Sequence, residues 1–239
     1  MDPACHDNDH QGDVQGCARI MKFQSALLAM ASHDLRQPLQ VILGTHRWLA
    51  RRLAGEEREY LTYGDRAAAD IIEKLNQITK ALRICETAGS VPLTPVELNS
   101  ALHQAAEELR EPALQKGVIF RVVPTSIRIT SDVTLLTSII RNLVRNAINA
   151  TSKDGRVLVG CRRRGPLCRI EVWDTGCGIP SEPLNKLFVG FQRLESSPSN
   201  GLGLGLYIVK CAADALGHRI AVQSRVGCGS CFSVSASIA

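Results

Sequence analysis

Two amphipathic repeats in the first part of the chain constrain its fold more than any other feature. After a tail over residues 1–18, apolar residues recur at steps of three and four along two segments, which a glycine and a charged run at residues 55–59 separate. The first repeat comprises Ile20, Phe23, Leu27 and Met30 and then, after a phase shift, Leu35, Leu39, Ile42, His46, Leu49 and Leu53; the second comprises Ala68, Ile71, Ile72, Leu75, Ile78, Leu82 and Cys85. The sequence therefore predicts a helical hairpin over residues 19–88. Since a lone hairpin cannot bury every apolar face, we expect two copies to form a homodimeric four-helix bundle.

A second domain is predicted over residues 93–239, after a short linker at residues 89–92. Its patterns alternate between helical and strand periods, which favours an α/β sandwich with helices layered on one sheet. The predicted helices run from about Val96 to Gln115, where Pro112 should kink or stop the helix, from a cap at Ser131 or Asp132 to Thr151, and from Leu204 to Leu216 before Gly217. The predicted strands cover residues 118–123, 127–130, 156–162, 168–173, 219–224 and 231–237.

Charge and cysteine content exclude several classes of partner. The net charge is +5, but the basic residues are scattered apart from the run at 162–164, and no aromatic residues alternate with them, so we expect no nucleic-acid partner. Nine cysteines without a disulfide framework indicate reduced thiols and a cytoplasmic location. Because no run of about 18 apolar residues occurs, we expect no membrane insertion by this chain, although it could be the cytoplasmic part of a membrane-associated sensor.

Three asparagines lie on one stripe of the predicted helix that ends near Thr151. Asn142, Asn146 and Asn149 are spaced four and then three residues apart, so they share a face. Asparagine has poor helix propensity, and three aligned copies therefore indicate a function rather than filler. Their carboxamide oxygens suit Mg²⁺, which prefers oxygen ligands, and Asn142 and Asn146 are the candidate ligands.

Two glycine-containing segments follow this helix. Asp174-Thr-Gly-Cys-Gly178 comes directly after a predicted strand, where the aspartate can accept a hydrogen bond from the exocyclic amine of adenine and the glycines let a base lie against the backbone. Gly201-Leu-Gly-Leu-Gly205 precedes a helix, and its free amide groups can cradle phosphates. The spacing matches neither a Walker loop nor a Rossmann fingerprint.

The order of these three segments resembles the ATP-binding domain of histidine kinases, which is shared more loosely with the Hsp90, gyrase B and MutL ATPases. The resemblance covers roughly residues 93–239, with an N box at Asn142 and Asn146, a G1 box at Asp174, Gly176 and Gly178, an F box at Phe188 and Phe191, and a G2 box at Gly201, Gly203 and Gly205. It implies binding of ATP with Mg²⁺ and a mobile lid over residues 180–203. The implied ATP-binding set also includes Arg145, Asn149, Ile179, Arg193, Leu202, Leu204 and Leu206.

A second resemblance lies in the helical hairpin, where Ser32-His33-Asp34-Leu-Arg-Gln37-Pro38 is similar to the H box of the histidine-kinase dimerisation domain. An imidazole with one unprotonated nitrogen is a good nucleophile toward phosphorus. The resemblance implies that His33 accepts the phosphoryl group and that Asp34 takes its proton or holds its tautomer. Gln37 stands where the family commonly has Thr or Asn, which orients a water. Pro38 removes a helical donor, so we expect a bend used for signalling.

Together the two resemblances imply a two-component sensor histidine kinase core, which is a phosphotransferase. ATP would phosphorylate His33, and the phosphoryl group would pass to an aspartate of a response-regulator receiver domain docked on the helical bundle near His33. Two alternatives remain open. One is a nucleotide-binding scaffold without turnover, favoured by Asn149 at a position where many family members carry Lys or Arg. The other is an ATPase of the gyrase B and Hsp90 class that drives clamp closure.

Overall fold

A computed structural model describes residues 34–52, 56–86, 91–180, 187–188 and 204–239 of the chain. The chain divides into two compact units between Glu86 and Thr87. Within the described ranges, none of the helices combines the length and the apolar character that crossing a membrane requires. The expected apolar repeat from Ile20 to Met30 lies outside the described residues.

The first unit is a pair of helices. The described part of α1 covers residues 34–50 and continues through Pro38, and α2 covers Glu56–Glu86. The helices meet where Nδ1 of His46 lies 3.1 Å from Oδ1 of Asp65. Gly64 allows this approach, since a Cβ there would lie 2.8 Å from Cε1 of His46. The predicted hairpin is confirmed, and His46 belongs to its contact face.

The contact between the two helices leaves part of the predicted apolar stripe uncovered. Leu39 and His46 are half-buried, whereas Leu35 and Ile42 remain 54% and 44% exposed. Leu35 and Ile42 are seven residues apart and therefore lie on one side of the helix. This exposed side is the surface that the sequence assigns to a second copy of the chain.

The second unit contains two sheets and three helices. A five-stranded sheet has the order β2-β4-β5-β7-β6, in which only β2 and β4 are parallel, and a separate two-stranded sheet pairs β1 with β3. The strands are β1 Thr94–Glu97, β2 Ile119–Val122, β3 Arg128–Ser131, β4 Arg156–Arg164, β5 Leu167–Asp174, β6 Arg219–Arg225 and β7 Gly229–Ser237. The helices are α3 Leu98–Lys116, α4 Val133–Ala150 and α5 Gly205–Ala215.

The core lies between the three helices and one face of the five-stranded sheet. Aliphatic side chains from both layers are buried there, as the low aromatic content requires: Leu98, Leu102, Leu136, Ile139, Ile140, Leu143, Ile208 and Val209 from the helices, and Val157, Val159, Ile170, Val172 and Val234 from the strands. The predicted α/β sandwich is therefore confirmed. Strand β3 was predicted at residues 127–130, but β1 and its pairing with β3 were not, because β1 is only four residues long and carries little periodic signal.

The structure corrects the expected start of α3 and excludes an early stop at Pro112. Val96 belongs to β1, so the helix begins two residues later, at Leu98. Pro112 lies inside the helix and does not stop it. Pro112 and Glu108, whose carbonyl it leaves without a helical donor, are both exposed, so water can solvate that carbonyl. The helix ends at Gly117, which adopts a φ of 72° and lets the Val118 N–H bond the Ala113 carbonyl at 2.9 Å.

The start of α4 resolves the choice between two candidate caps. The Asp132 carboxylate accepts a hydrogen bond from the Leu135 N–H at 2.8 Å, so Asp132 is the N-cap. Ser131 is instead buried, with its Oγ 3.0 Å from Nε2 of His218. Burial lowers the pKa of His218, so the Ser131 contact joins two neutral groups.

Candidate functional site

Asp174 ends β5 as a buried carboxylate. Its Oδ1 accepts hydrogen bonds from the N–H groups of Gly176 at 2.8 Å and Ser230 at 3.2 Å. Burial raises the pKa of this carboxyl group, although both hydrogen bonds oppose the shift. In the part of the chain that the structure describes, no hydrogen bond engages Oδ2. Asp174 therefore offers one fixed oxygen and one free oxygen, which is the arrangement needed to accept a hydrogen bond from a ligand amine.

The loop after Asp174 is held closely against its surroundings. The Cys177 N–H donates to the carbonyl of Ala150 at the end of α4, at 3.3 Å, and the Gly227 N–H donates to the Cys177 carbonyl at 2.8 Å. A Cβ at Gly176 would lie 2.5 Å from the Ala150 carbonyl oxygen, and Gly178 adopts a φ of 70°. Glycine at both positions is thus a requirement of the local packing, whatever ligand the loop binds.

Two of the three predicted asparagines face the beginning of α5. A Cβ at Gly205 would lie 3.3 Å from Oδ1 of Asn146 and 3.7 Å from Oδ1 of Asn142. Nδ2 of Asn142 donates to the Ser138 carbonyl at 2.8 Å, which fixes the amide and leaves its oxygen toward Gly205. The structure therefore joins the asparagine stripe to the last glycine of the predicted phosphate cradle.

Asn149 differs from the other two asparagines. Its side chain is exposed, and its backbone carbonyl accepts a hydrogen bond from Lys116 Nζ at 2.6 Å. Lys116 also donates to the Ile148 carbonyl at 2.8 Å, and burial lowers the pKa of its ammonium group. The ammonium neutralises the partial negative charge at the end of α4, next to the Asp174 loop.

Two residues that support the site were not predicted, and each had a weak signal in the sequence. Lys116 occupies the last turn of α3, where cations cap helix ends, but its partners belong to another helix. Ser230 follows the glycine-rich turn before β7, and its N–H bonds Asp174 from 56 positions away in the sequence. No local pattern identifies either partner.

The remaining expected site residues are placed as follows. Ile179, Phe188, Leu206 and Arg145 are half-buried, and Leu204 is buried at the start of α5. The Ile179 N–H donates to Oγ of Ser224 at 2.7 Å. Asp34 and Gln37 are exposed on α1, in the other compact unit. The expected residues that lie outside the described residues are His33, Phe191, Arg193, Gly201, Leu202 and Gly203.

Two family models match the sequence, and together they cover 169 of its 239 residues, or 71%. Residues 131–238 match the family of histidine kinase-, DNA gyrase B- and HSP90-like ATPases. Residues 23–83 match the His Kinase A phospho-acceptor domain. The first match contains Asp174, Asn142, Asn146 and Gly205, and the second contains His33.

Known proteins with the same two segments include sensor kinases. The chain is 31% identical over 219 residues to the circadian input-output histidine kinase CikA of Synechococcus elongatus, covering 87% of this chain and 29% of that protein. It is 30% identical over 226 residues to the aerobic respiration control sensor protein ArcB of Escherichia coli, covering 91% of this chain and 29% of ArcB. The chain thus spans less than a third of the length of these relatives.

Solved structures agree with these matches. Full-length ShkA, crystallised in complex with AMPPNP, superposes with a TM-score of 0.74 at 29% identity, over 90% of this chain and 46% of ShkA. The mycobacterial sensor histidine kinase MprB superposes with a TM-score of 0.55 at 25% identity, over 61% of this chain and 97% of the MprB chain.

Proposed function

This chain belongs to the histidine kinase family, and from that premise we propose that it uses ATP to phosphorylate its own His33 and passes the phosphoryl group to an aspartate of a response-regulator receiver domain. The observation that carries the proposal is the buried Asp174, whose Oδ1 is fixed by two backbone donors, while no hydrogen bond from the described residues engages Oδ2. A base that presents an amine satisfies Oδ2, whereas the carbonyl of guanine would repel it.

We assign the triphosphate to the region between Asn142, Asn146 and the glycines that lead into α5. A Cβ at Gly205 would crowd Oδ1 of Asn146 at 3.3 Å and touch Oδ1 of Asn142 at 3.7 Å, so the glycine keeps this space open. The two carboxamide oxygens fit the hard oxygen donors that Mg²⁺ prefers. Among the described residues, no group of three or more His, Cys, Asp or Glu side chains could hold a metal instead. Mg²⁺ bound by Asn142 and Asn146 would neutralise phosphate charge.

The phosphoryl transfer itself is assigned to His33 and Asp34. A neutral ring nitrogen of His33 attacks the γ-phosphorus, the bond to the bridging oxygen breaks, and ADP leaves. Asp34 is exposed on α1 and follows His33 directly in the sequence, and we assign it the role of holding the tautomer or taking the ring proton. Asn142, Asn146 and the glycine amides would hold the triphosphate while negative charge moves to the leaving ADP.

Incubation with γ-labelled ATP separates this proposal from its two alternatives. A histidine kinase gives acid-labile label on the protein, because phosphoramidate bonds hydrolyse in acid. A clamp ATPase releases free phosphate and leaves the protein unlabelled. A scaffold, for which Asn149 is the sequence argument, does neither while still binding nucleotide. The family matches favour neither alternative. A clamp ATPase of the gyrase class does not need a His Kinase A phospho-acceptor domain.

We predict that the full chain is a dimer through the exposed side of α1. Ile42→Glu places a charge where two copies would bury it, so light scattering at micromolar concentration should show a shift from dimer to monomer. Val41→Glu is the matched control, because Val41 is 69% exposed and lies off the Leu35–Ile42 side. A fragment of residues 92–239 should be monomeric and still bind nucleotide. A monomeric wild-type chain would exclude the four-helix bundle.

We also propose that Gln37 makes this kinase a weak phosphatase of its receiver partner. Gln37 is exposed on α1, four positions after His33 in the sequence, and its amide can hold a water by one donor and one acceptor bond. Compared with Asn, the extra methylene moves the amide by about 1.5 Å. A displacement of that size can slow an aligned water attack by roughly 10²-fold.

Gln37→Asn should therefore accelerate dephosphorylation of the receiver domain while His33 labelling stays unchanged. The control is Gln40→Asn, the same substitution at an exposed position of the same helix. The assay needs the cognate receiver domain, phosphorylated independently of this kinase. Rapid dephosphorylation by wild type that is lost in Gln37→Ala would show that glutamine already aligns the water.

A further inference from the structure

The outer face of the five-stranded sheet, opposite the helices, concentrates positive charge. Side chains alternate along each strand, so the strand register places every second residue on this face. Seven of these residues are arginines from four strands, which we call the basic face: Arg121, Arg156, Arg162, Arg164, Arg169, Arg219 and Arg225. All of them are exposed except Arg169, which is half-buried.

Acidic residues do not balance this charge. On the outer face of the described strands, the one acidic residue is Glu171, which is only 6% exposed. Its Oε2 lies 3.3 Å from Nε of Arg162, and its Oε1 lies 3.3 Å from Nε of Arg169. One carboxylate thus interacts with two arginines at the centre, and the outer arginines surround it.

Trp173 lies within the basic face and is 41% exposed. In the register it pairs with Leu158, which is 39% exposed, and Leu158 pairs with Arg121 on the neighbouring strand. The indole N–H donates to Oε2 of Glu171 at 3.0 Å, so the polar group of the ring is satisfied within the protein. A fixed aromatic ring beside an exposed leucine, with arginines around both, combines apolar contact area with positive charge.

We propose that the basic face is a peripheral docking surface for an anionic phospholipid membrane. An anionic leaflet is laterally uniform, and it matches positive charge that is spread over four strands rather than gathered around a pocket. Tryptophan is favoured at the level of lipid headgroups, and arginine can keep its charge in water while its stem covers apolar surface. The inference does not depend on the kinase activity.

Two other occupants fit the face less well. Sequence-tolerant binding of single-stranded nucleic acid uses successive aromatic platforms, whereas Trp173 is the one aromatic residue on the outer face of the described strands. Protein partners are anchored by side chains that fill pockets, and Trp173 and Leu158 are exposed on strands of an open sheet. Contact with a membrane needs neither a pocket nor a second aromatic residue.

The fluorescence of Trp173 can report contact between the basic face and a membrane. The chain has two tryptophans, so Trp48→Phe leaves Trp173 as the only indole. In this otherwise intact chain, vesicles containing phosphatidylglycerol should shift the emission of Trp173 to shorter wavelength, and pure phosphatidylcholine vesicles should not. Raising the salt from about 0.1 M to 0.5 M should reverse the shift, because the Debye length falls well below its value of about 10 Å at 0.1 M.

Charge reversal tests whether this face is the one that binds. Arg121→Glu with Arg219→Glu should lower the vesicle partition coefficient at least tenfold, because each arginine near an anionic membrane surface contributes to binding and each glutamate is repelled. The control is Arg66→Glu with Arg110→Glu, two exposed arginines on helices; each pair changes the net charge from +5 to +1. Retained nucleotide binding verifies that the charge-reversed variant is folded. If nucleotide binding is lost, Arg121→Gln with Arg219→Gln is the milder variant to test.

Equal loss of vesicle binding in the two charge-reversed pairs would assign binding to net charge and overturn the proposal. So would an unshifted Trp173 emission in the presence of bound vesicles. Tighter binding of a single-stranded oligonucleotide than of vesicles, lost only when the basic face is altered, would assign the face to nucleic acid instead.

Discussion

His33→Ala should abolish transfer of label from γ-labelled ATP to the protein while nucleotide affinity stays within about twofold of wild type. The imidazole is the attacking group in the proposed reaction, and alanine offers no nucleophile. Two of the described histidines are poor substitutes. His46 is held by Asp65 within the helical hairpin, and His218 is buried against Ser131.

The matched control for this substitution is His103→Ala, because His103 is an exposed histidine on α3. Its removal should leave labelling unchanged. Label that persists at the wild-type level in His33→Ala would mean that another residue is the phosphoacceptor. Mixing His33→Ala with Asp174→Asn distinguishes the route of transfer. At an ATP concentration too low to label Asp174→Asn alone, label appears in mixed dimers only if one subunit phosphorylates its partner.

Asp174→Asn should weaken ATP binding by about 10- to 150-fold, which corresponds to the roughly 1.5–3 kcal/mol of a hydrogen bond to a charged group. Asn keeps an oxygen for the Gly176 and Ser230 N–H groups, so the loop can stay in place. The second position becomes an amide N–H₂ group, which repels the adenine amine. Titration calorimetry measures the loss, and GTP should bind wild type poorly for the complementary reason.

The same substitution should leave the unfolding temperature at pH 7 unchanged or raise it. Burial raises the folded-state pKa of Asp174 above its ordinary value of 3.8, so the native state binds more protons than the unfolded state between the two values. The stability contributed by this group is therefore present below pH 3.8 and is lost as the pH rises through the folded-state pKa. Asn has no charge to desolvate at neutral pH.

The control for Asp174→Asn is Asp154→Asn. Asp154 lies in an exposed turn with a φ of 65°, a conformation that asparagine also accepts, so neither nucleotide affinity nor stability should change. A large fall in the unfolding temperature of Asp174→Asn would show that the carboxylate is chiefly structural. ATP affinity within twofold of wild type would remove Asp174 from base recognition.

The local sequence was sufficient to predict most of the elements around the site. The cap of α4, the end of β5 at Asp174 and the left-handed Gly217 after α5 each depend on residues within a few positions. Helical and strand periods are local properties, and capping follows from a single side chain, so such features can be predicted without tertiary information. The family could be identified from the sequence for the same reason, because the asparagine helix and the two glycine segments are local motifs whose order can be read along the chain.

Only the tertiary structure decided which distant residues complete the site. Ser230 bonds Asp174 across 56 positions, and Lys116 caps the end of another helix. Two asparagines face Gly205, whereas Asn149, on the same predicted stripe, remains exposed. A helical period specifies a stripe, but the packing of α5 against α4 determines which part of the stripe it covers.

The distribution of charge is a second property that the local sequence did not predict and that the tertiary structure decided. Along the sequence, Arg121, Arg156 and Arg219 are far apart, so the sequence alone shows no basic patch at these positions. Sheet register places them on one face with Trp173, because residues that the register pairs on neighbouring strands lie side by side on the same face. The sequence by itself determined the two-part organisation, most of the helices and strands, and the family. Strand pairing and helix packing, which join residues far apart in the chain, determined the partners in the nucleotide site and the basic face.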